Sequence, residues 1–219
     1  MPKPVPTRST VSGRGVGGGA AAPAHGQRIG VFGGTFDPIH VGHLVTAVNV
    51  RHSLRLDRVL LVVANDPWQK ADQGVSGAAD RLAMVAAAVR GVPGLEVSDL
   101  ELRRGGPSYS ADTLAELAAA HPGAVLHLVL GSDAASGLGT WERVAEVRTL
   151  TRLVVVTRPG AEAARPPAGW DHTVVEVPRL DVSSTELRAR VADGRPLDWL
   201  VTDEVVAVIR ARRLYERPR

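Results

Sequence analysis

The chain has no cysteine. Disulfides, thiolate nucleophiles and cysteine-based zinc sites are therefore excluded, and a reducing compartment such as the cytoplasm suits it. Lysine is almost as scarce, with Lys3 and Lys70 standing against 24 arginines. No apolar run approaches the roughly 20 residues that cross a bilayer, so no membrane partner is expected. Acids are missing from residues 1–28, which hold Lys3, Arg8, Arg14 and Arg28. Those four cations exceed the net charge of +3, so the rest of the chain carries −1. A near-neutral body is not that of a nucleic-acid binder. The basic segment also lacks the aromatics on which such proteins stack bases.

What is present is enough for one sizeable core: 219 residues, 44% of them hydrophobic. Residues 1–27 are rich in Gly, Pro, Ala, Ser and Thr with no apolar period, and are expected to be a disordered tail. They lack the continuous apolar stretch of a secretory signal. Gly15-Val16-Gly17-Gly18-Gly19-Ala20 matches the dinucleotide fingerprint by letter, but no strand precedes it and no helix follows. One domain is expected over residues 28–219.

Within it, short apolar runs alternate with helical patterns. Strands are expected at Ile29 to Phe32, Arg58 to Ala64, Leu95 to Ser98, Val125 to Leu130, Arg152 to Thr157 and Thr173 to Val177. Helices are expected at His40 to Leu54, Asp80 to Arg90, Ser110 (as N-cap) to His121, Trp141 to Val147, Ser183 to Ala192 and Asp203 to Arg213. Leu102 to Pro107 reads as an Arg- and Gly-rich loop. Strands apolar throughout, separated by helices, imply an α/β fold whose parallel sheet is covered on both faces, in the Rossmann-like doubly wound class. Such sheets bind ligands beyond the carboxyl ends of their strands. Four unusual clusters fall at such ends: Gly33 to His43, Asn65 to Lys70, Gly131 to Asp133, and Arg158.

The first cluster is the most informative. Paired glycines after a strand let the backbone approach a ligand closely. A helix N-terminus just beyond offers N–H groups and a positive dipole end, which suits phosphate. His40 and His43 lie on one face of that helix. Alone, two such histidines would also fit a capping or packing role, and no third ligand of suitable spacing supports zinc. Near the other end of the chain, Ser183-Ser184-Thr185-Glu186 has the form of a capping box. Arg188 follows one turn beyond Ser184, so hydroxyls, helix N–H groups and a guanidinium could converge on one anion.

As a pattern, Gly33-Gly34-Thr35-Phe36-Asp37-Pro38-x-His40-x-Gly42-His43 resembles the signature of nucleotidyltransferases related to class I aminoacyl-tRNA synthetases. Its wording is closest to bacterial nicotinate-nucleotide adenylyltransferases. The Ser183 to Arg188 segment resembles a second element of that family, with Val182 and Leu187 as mild substitutions. Ser108-Tyr109-Ser110-Ala111-Asp112-Thr113-Leu114 resembles a third, with Ser110 in place of threonine. Pro67-Trp68-Gln69-Lys70 is similar to a segment read Pro-Pro-His-Lys, with Trp68 and Gln69 as departures. Glu142, after Trp141, departs from the aromatic or histidine common there. The resemblance covers residues 28 to about 215.

The resemblance implies transfer of AMP from ATP to nicotinate mononucleotide. Gly33, Gly34, Thr35, Phe36, His40, His43, Asp133, Ser183, Ser184, Thr185 and Arg188 would bind ATP. Lys70, Ser110, Trp141 and Arg158 would bind the mononucleotide, and His40, His43, Lys70 and Arg188 would carry catalysis. Mg²⁺ would arrive on the ATP phosphates, since the sequence has no carboxylate cluster suited to hold it. Other acceptors, such as nicotinamide mononucleotide or phosphopantetheine, are the nearest alternatives. Phosphopantetheine enzymes share the first motif but lack the Ser108 to Leu114 segment. A non-catalytic nucleotide sensor should have lost one of His40, His43, Lys70 or Arg188, and all are present.

Overall fold

The computed structural model describes residues 26–67, 74–160 and 166–216. Lys70, with Trp68 and Gln69, lies outside them, as does nearly all of the expected tail. In chain order the strands are β1 (Arg28–Gly34), β2 (Arg58–Val63), β3 (Leu95–Ser98), β4 (Val125–Gly131), β5 (Thr151–Thr157) and β6 (His172–Glu176). The helices are α1 (Val41–Ser53), α2 (Ala78–Val89), α3 (Leu100–Arg104), α4 (Ser110–Ala120), α5 (Ser132–Ser136), α6 (Val144–Leu150), α7 (Ser184–Ala192) and α8 (Asp203–Ala211).

β2 shows why the sheet must be covered twice. Successive side chains on a strand point to opposite faces. Val59, Leu61 and Val63 join one hydrophobic cluster, and Leu60 and Val62 join another. The first cluster receives Ala47 and Val50 of α1, Met84 and Val85 of α2, Leu187 of α7, and Val205 and Ile209 of α8. The second receives Leu100 of α3, Leu114 and Leu117 of α4, Ala135 of α5 and Val147 of α6. All five strand pairings are parallel, in the order β3-β2-β1-β4-β5-β6. The order reverses between β1 and β4, so a crevice opens at their carboxyl ends, where doubly wound sheets bind ligands. Among the described residues no helix is long and apolar enough to cross a membrane.

Three local expectations are corrected. The expected loop from Leu102 to Pro107 begins as α3: Leu100 is buried, Asp99 and Arg103 pair across one turn, and Gly105 at φ 73° ends the helix. Ser110 is the first helical residue of α4 rather than its cap, which is Tyr109 in extended conformation. The neighbouring Ser108 fixes that entry, accepting from the Asn65 N–H at 2.8 Å and donating its own N–H to Asp66 at 3.1 Å. Trp141 does not open a helix either. It closes a 3₁₀ turn by donating its N–H to the Leu138 carbonyl at 3.1 Å, and Arg143 at φ 50° delays α6 to Val144.

One buried cation fixes the loops beneath the crevice. Arg81 of α2 is 1% exposed. It donates to the carbonyls of Ser76 (2.9 Å), Thr35 (3.0 Å), Ala64 (2.6 Å) and Asn65 (3.1 Å). Burial draws its pKa down from the ordinary value, partly offset by the charge of Asp37. Arg81→Met leaves these carbonyls without a donor and should cost about 3 kcal/mol of stability, measured by urea unfolding. An unchanged midpoint would contradict the role given to Arg81.

Candidate active site

At the end of β1 the chain turns over its own glycine. The Phe36 ring lies so close above Gly34 that a Cβ there would meet it at 2.7 Å. The turn continues through Asp37 and Pro38 to His40, the extended N-cap of α1. The first N–H groups of a helix have no partner within it, and here most are already claimed. His40 N–H donates to Nδ1 of His43 at 3.2 Å, Val41 N–H to the Leu200 carbonyl at 3.0 Å, and His43 N–H to the His40 carbonyl at 2.9 Å. Only the Gly42 N–H has no protein acceptor among the described residues. The α1 terminus therefore offers a ligand far less backbone than a bare helix end would.

Two imidazoles stand at this terminus. Because Nδ1 of His43 accepts, its proton sits on Nε2. The two rings stack at 3.7 Å between centroids, and Phe36 meets His43 edge-on at 5.1 Å. His40 is buried, and its Nδ1 has no partner among the described residues. Burial, assisted by the charge of Arg158, lowers its pKa to about 4. His40 is thus neutral at pH 7. Gly42 is the residue that lets the ring lie there, since a Cβ would stand 3.0 Å from Nδ1 of His40 and 3.3 Å from the Val182 side chain.

The second helix start packs directly on the first turn. Ser184 donates its hydroxyl to the Pro38 carbonyl at 2.9 Å, and Arg188 donates to the Asp37 carbonyl at 2.8 Å. Arg188 also reaches the Thr185 hydroxyl at 3.4 Å. Ser183 caps α7 by accepting from the Glu186 N–H, but the Glu186 carboxylate pairs with Arg190 instead of closing the expected box. The N–H groups of Ser184 and Thr185 have no acceptor among the described residues. They make α7 the more open anion cradle. Below the seam, the Asp37 carboxylate accepts from the Tyr215 hydroxyl at 2.6 Å and the Ser76 N–H at 3.1 Å. Arg158 pairs with Asp181 at 3.9 Å and acts electrostatically on His40. It stands with this group.

A cavity of about 190 Å³ opens beside it at the β1–β4 crevice. Its lining includes Gly33, Gly34 and Thr35 from the end of β1, Leu128 and Leu130 of β4, and Ser108 to Ser110 with Trp141. Ser110 and Trp141 are therefore brought together, whereas Phe36, His40, His43, Asp133 and Arg158 do not line the cavity. Asp133 is exposed in the first turn of α5, next to the lining residue Ala134. An ion pair between Asp112 and Arg143 joins the α4 wall to the Trp141 segment. Glu101 and Glu142 also line the cavity. The sequence singled out neither Glu101 nor Tyr215.

The cytidylyltransferase-like family model matches residues 31–190, a span that takes in both helix starts and the cavity beside them. The chain belongs to that family. Relatives within it include a "probable nicotinate-nucleotide adenylyltransferase" of Corynebacterium kroppenstedtii, 44% identical over 86% of this chain and 90% of that protein. Another of the same name, from Streptomyces coelicolor, is 45% identical over 84% of this chain and 98% of that protein. The fold is similar to that of a Plasmodium falciparum nicotinic acid mononucleotide adenylyltransferase complexed with NaAD. That match has a TM-score of 0.71 at 17% identity and covers 86% of this chain and 97% of that one.

The buried His40 has a consequence for stability. Its imidazole titrates near 4 when folded and near 6.5 when unfolded, so the unfolded chain takes up the proton first. Stability should fall as pH drops from about 6.5 to about 4, by roughly 3 kcal/mol in all. His40→Gln, with nothing to titrate, should lose that share of the slope in urea unfolding. Parallel pH profiles for the two proteins would contradict it.

Proposed function

We propose that this chain transfers AMP from MgATP to nicotinate mononucleotide, giving nicotinate adenine dinucleotide and pyrophosphate, a step of NAD biosynthesis. The observation that carries the reading is the adjacency of two unlike subsites. A polar seam built from His40, His43 and the α7 start lies beside an aromatic-walled cavity at the same sheet edge. The names of the relatives support the same activity.

The acceptor is a phosphate monoester, largely dianionic at pH 7 because its second pKa is about 6. It needs no strong base. It needs charge neutralised and its oxygen placed in line with the α-phosphorus. In this reading the ATP tail runs from the His40–His43 pair to α7. Nε2–H of His43, and His40, donate to oxygens that gain negative charge as the bond to pyrophosphate breaks. The Ser184 and Thr185 N–H groups and Arg188 hold the departing phosphates. Arg158, expected to bind the mononucleotide, does not line the cavity and acts electrostatically on His40, so this reading gives it to the ATP side. Asp133, Ser183 and the Gly33 to Phe36 backbone complete that side, and Lys70 is assigned to the acceptor phosphate.

Backbone N–H groups at the start of α4, near Ser110, receive the nicotinate carboxylate, and Trp141 faces the ring. Among the described residues no group of three or more His, Cys, Asp or Glu could hold a metal ion. In this reading Mg²⁺ enters as part of the substrate MgATP. The cytoplasm is the compartment the reading implies.

Pyrophosphate release should be fast with nicotinate mononucleotide and slow with nicotinamide mononucleotide or phosphopantetheine; equal rates would remove the carboxylate selectivity. His43→Ala should lower kcat by about 10²-fold, the loss of one such donor, and normal turnover would end its assigned role. Trp141→Ala should raise KM for the mononucleotide and leave that for ATP unchanged. A KM that did not move would return Trp141 to the hydrophobic cluster it borders.

A further inference from the structure

The cavity given to an anionic nucleotide is itself acidic. Glu101 and Glu142 line it, and no Lys or Arg does so among the described residues. Glu101 is the more telling, because it is 7% exposed. Its Oε1 accepts from the Thr113 hydroxyl at 2.6 Å and lies 4.0 Å from Arg104. Arg104 does not neutralise it, since that guanidinium also pairs with Glu116 at 2.8 Å. Arg81 also acts on Glu101 but faces Asp37 as well, so two arginines among three carboxylates (Glu101, Glu116 and Asp37) leave the cluster at −1. The second oxygen of Glu101 has no partner among the described residues, although the side chain borders the cavity.

A fixed, poorly solvated carboxylate repels a phosphate or carboxylate placed against it and attracts a cation. The mononucleotide contains one group that resolves the conflict. Its pyridine ring is N-glycosylated and therefore carries a positive charge. An aromatic wall from Trp141 on one side is equally suited to a cationic ring. The substrate's negative ends can then lie on the α4 N–H groups and on the triphosphate side.

We propose that Glu101 is the counter-charge for the pyridinium ring, selecting an oxidised, N-glycosylated pyridine over a neutral ring of the same shape. The inference rests on the acceptor assigned above. Thr113 and Arg104 hold the carboxylate in place, and the charge acts on binding without forming or breaking a bond. Glu142, being exposed, acts in the same sense but is screened by solvent.

The test crosses a change in protein charge with a change in ligand charge. Nicotinate mononucleotide and its 1,4-dihydropyridine form, which has the same ribose, phosphate and carboxylate but a neutral ring, are titrated calorimetrically into the full chain. Glu101→Gln keeps an acceptor for the Thr113 hydroxyl and removes the charge. It should weaken binding of the oxidised form about tenfold and of the dihydro form by less than about twofold. ATP affinity and thermal midpoint should be unchanged. Glu101→Asp, which retains the charge, should keep most of the preference and serves as the measurement if the glutamine variant does not fold. An equal loss for both forms would mean a hydrogen bond or a structural role, and would overturn the proposal. No loss for either would overturn it as well. A wild-type chain that binds neither form overturns the acceptor assignment itself, and this inference with it.

Discussion

The seam between the Asp37-Pro38 turn and the start of α7 is the contact on which the rest of the site depends. Two carbonyls of that turn accept from Ser184 and Arg188, residues 146 and 151 positions away in sequence. Without those bonds the imidazoles of α1 and the open N–H groups of α7 would belong to separate helices. With them, the two helix starts are held against one turn. The turn is secured from below as well, since Tyr215 and Ser76 occupy the Asp37 carboxylate and Arg81 holds the Thr35 carbonyl. A loop bound on both sides loses little further entropy when a triphosphate binds.

The charges of the site are sorted rather than pooled. Arginines and the neutral His40 imidazole gather at the seam, while the adjoining cavity carries carboxylates and an aromatic side chain. Keeping His40 uncharged is part of this arrangement. Burial that lowers its pKa to about 4 keeps it in one protonation state across the physiological pH range. Because one end of the substrate is anionic and its ring cationic, a site uniform in charge would serve one part and repel the other.

The strands were legible from sequence because a strand buried on both faces has to be apolar at every position, as Val59 to Val63 are. The paired helix starts were legible because their signals, Gly33-Gly34 with two histidines and the Ser183 to Arg188 run, are local in sequence. Contacts set by distant residues were not legible. The Arg- and Gly-rich letters around Arg103 read as loop, since the burial of Leu100 and the bond from Thr113 to Glu101 that favour α3 are tertiary. Which N–H groups of α1 remain open depends on Leu200, on the far side of the chain. Arg81 was recoverable in principle. It precedes Met84, Val85 and Ala88 at helical spacing, on the buried face of α2, where a charge implies a set of acceptors.

The central claim is that catalysis here is placement and charge stabilisation, with the acceptor phosphate attacking directly and no side chain serving as a covalent carrier. The stereochemistry at the α-phosphorus tests it most directly. With ATP made chiral at that atom by sulfur substitution, a single in-line displacement predicts inversion in the dinucleotide product. Retention would require an adenylylated enzyme intermediate and would contradict the account.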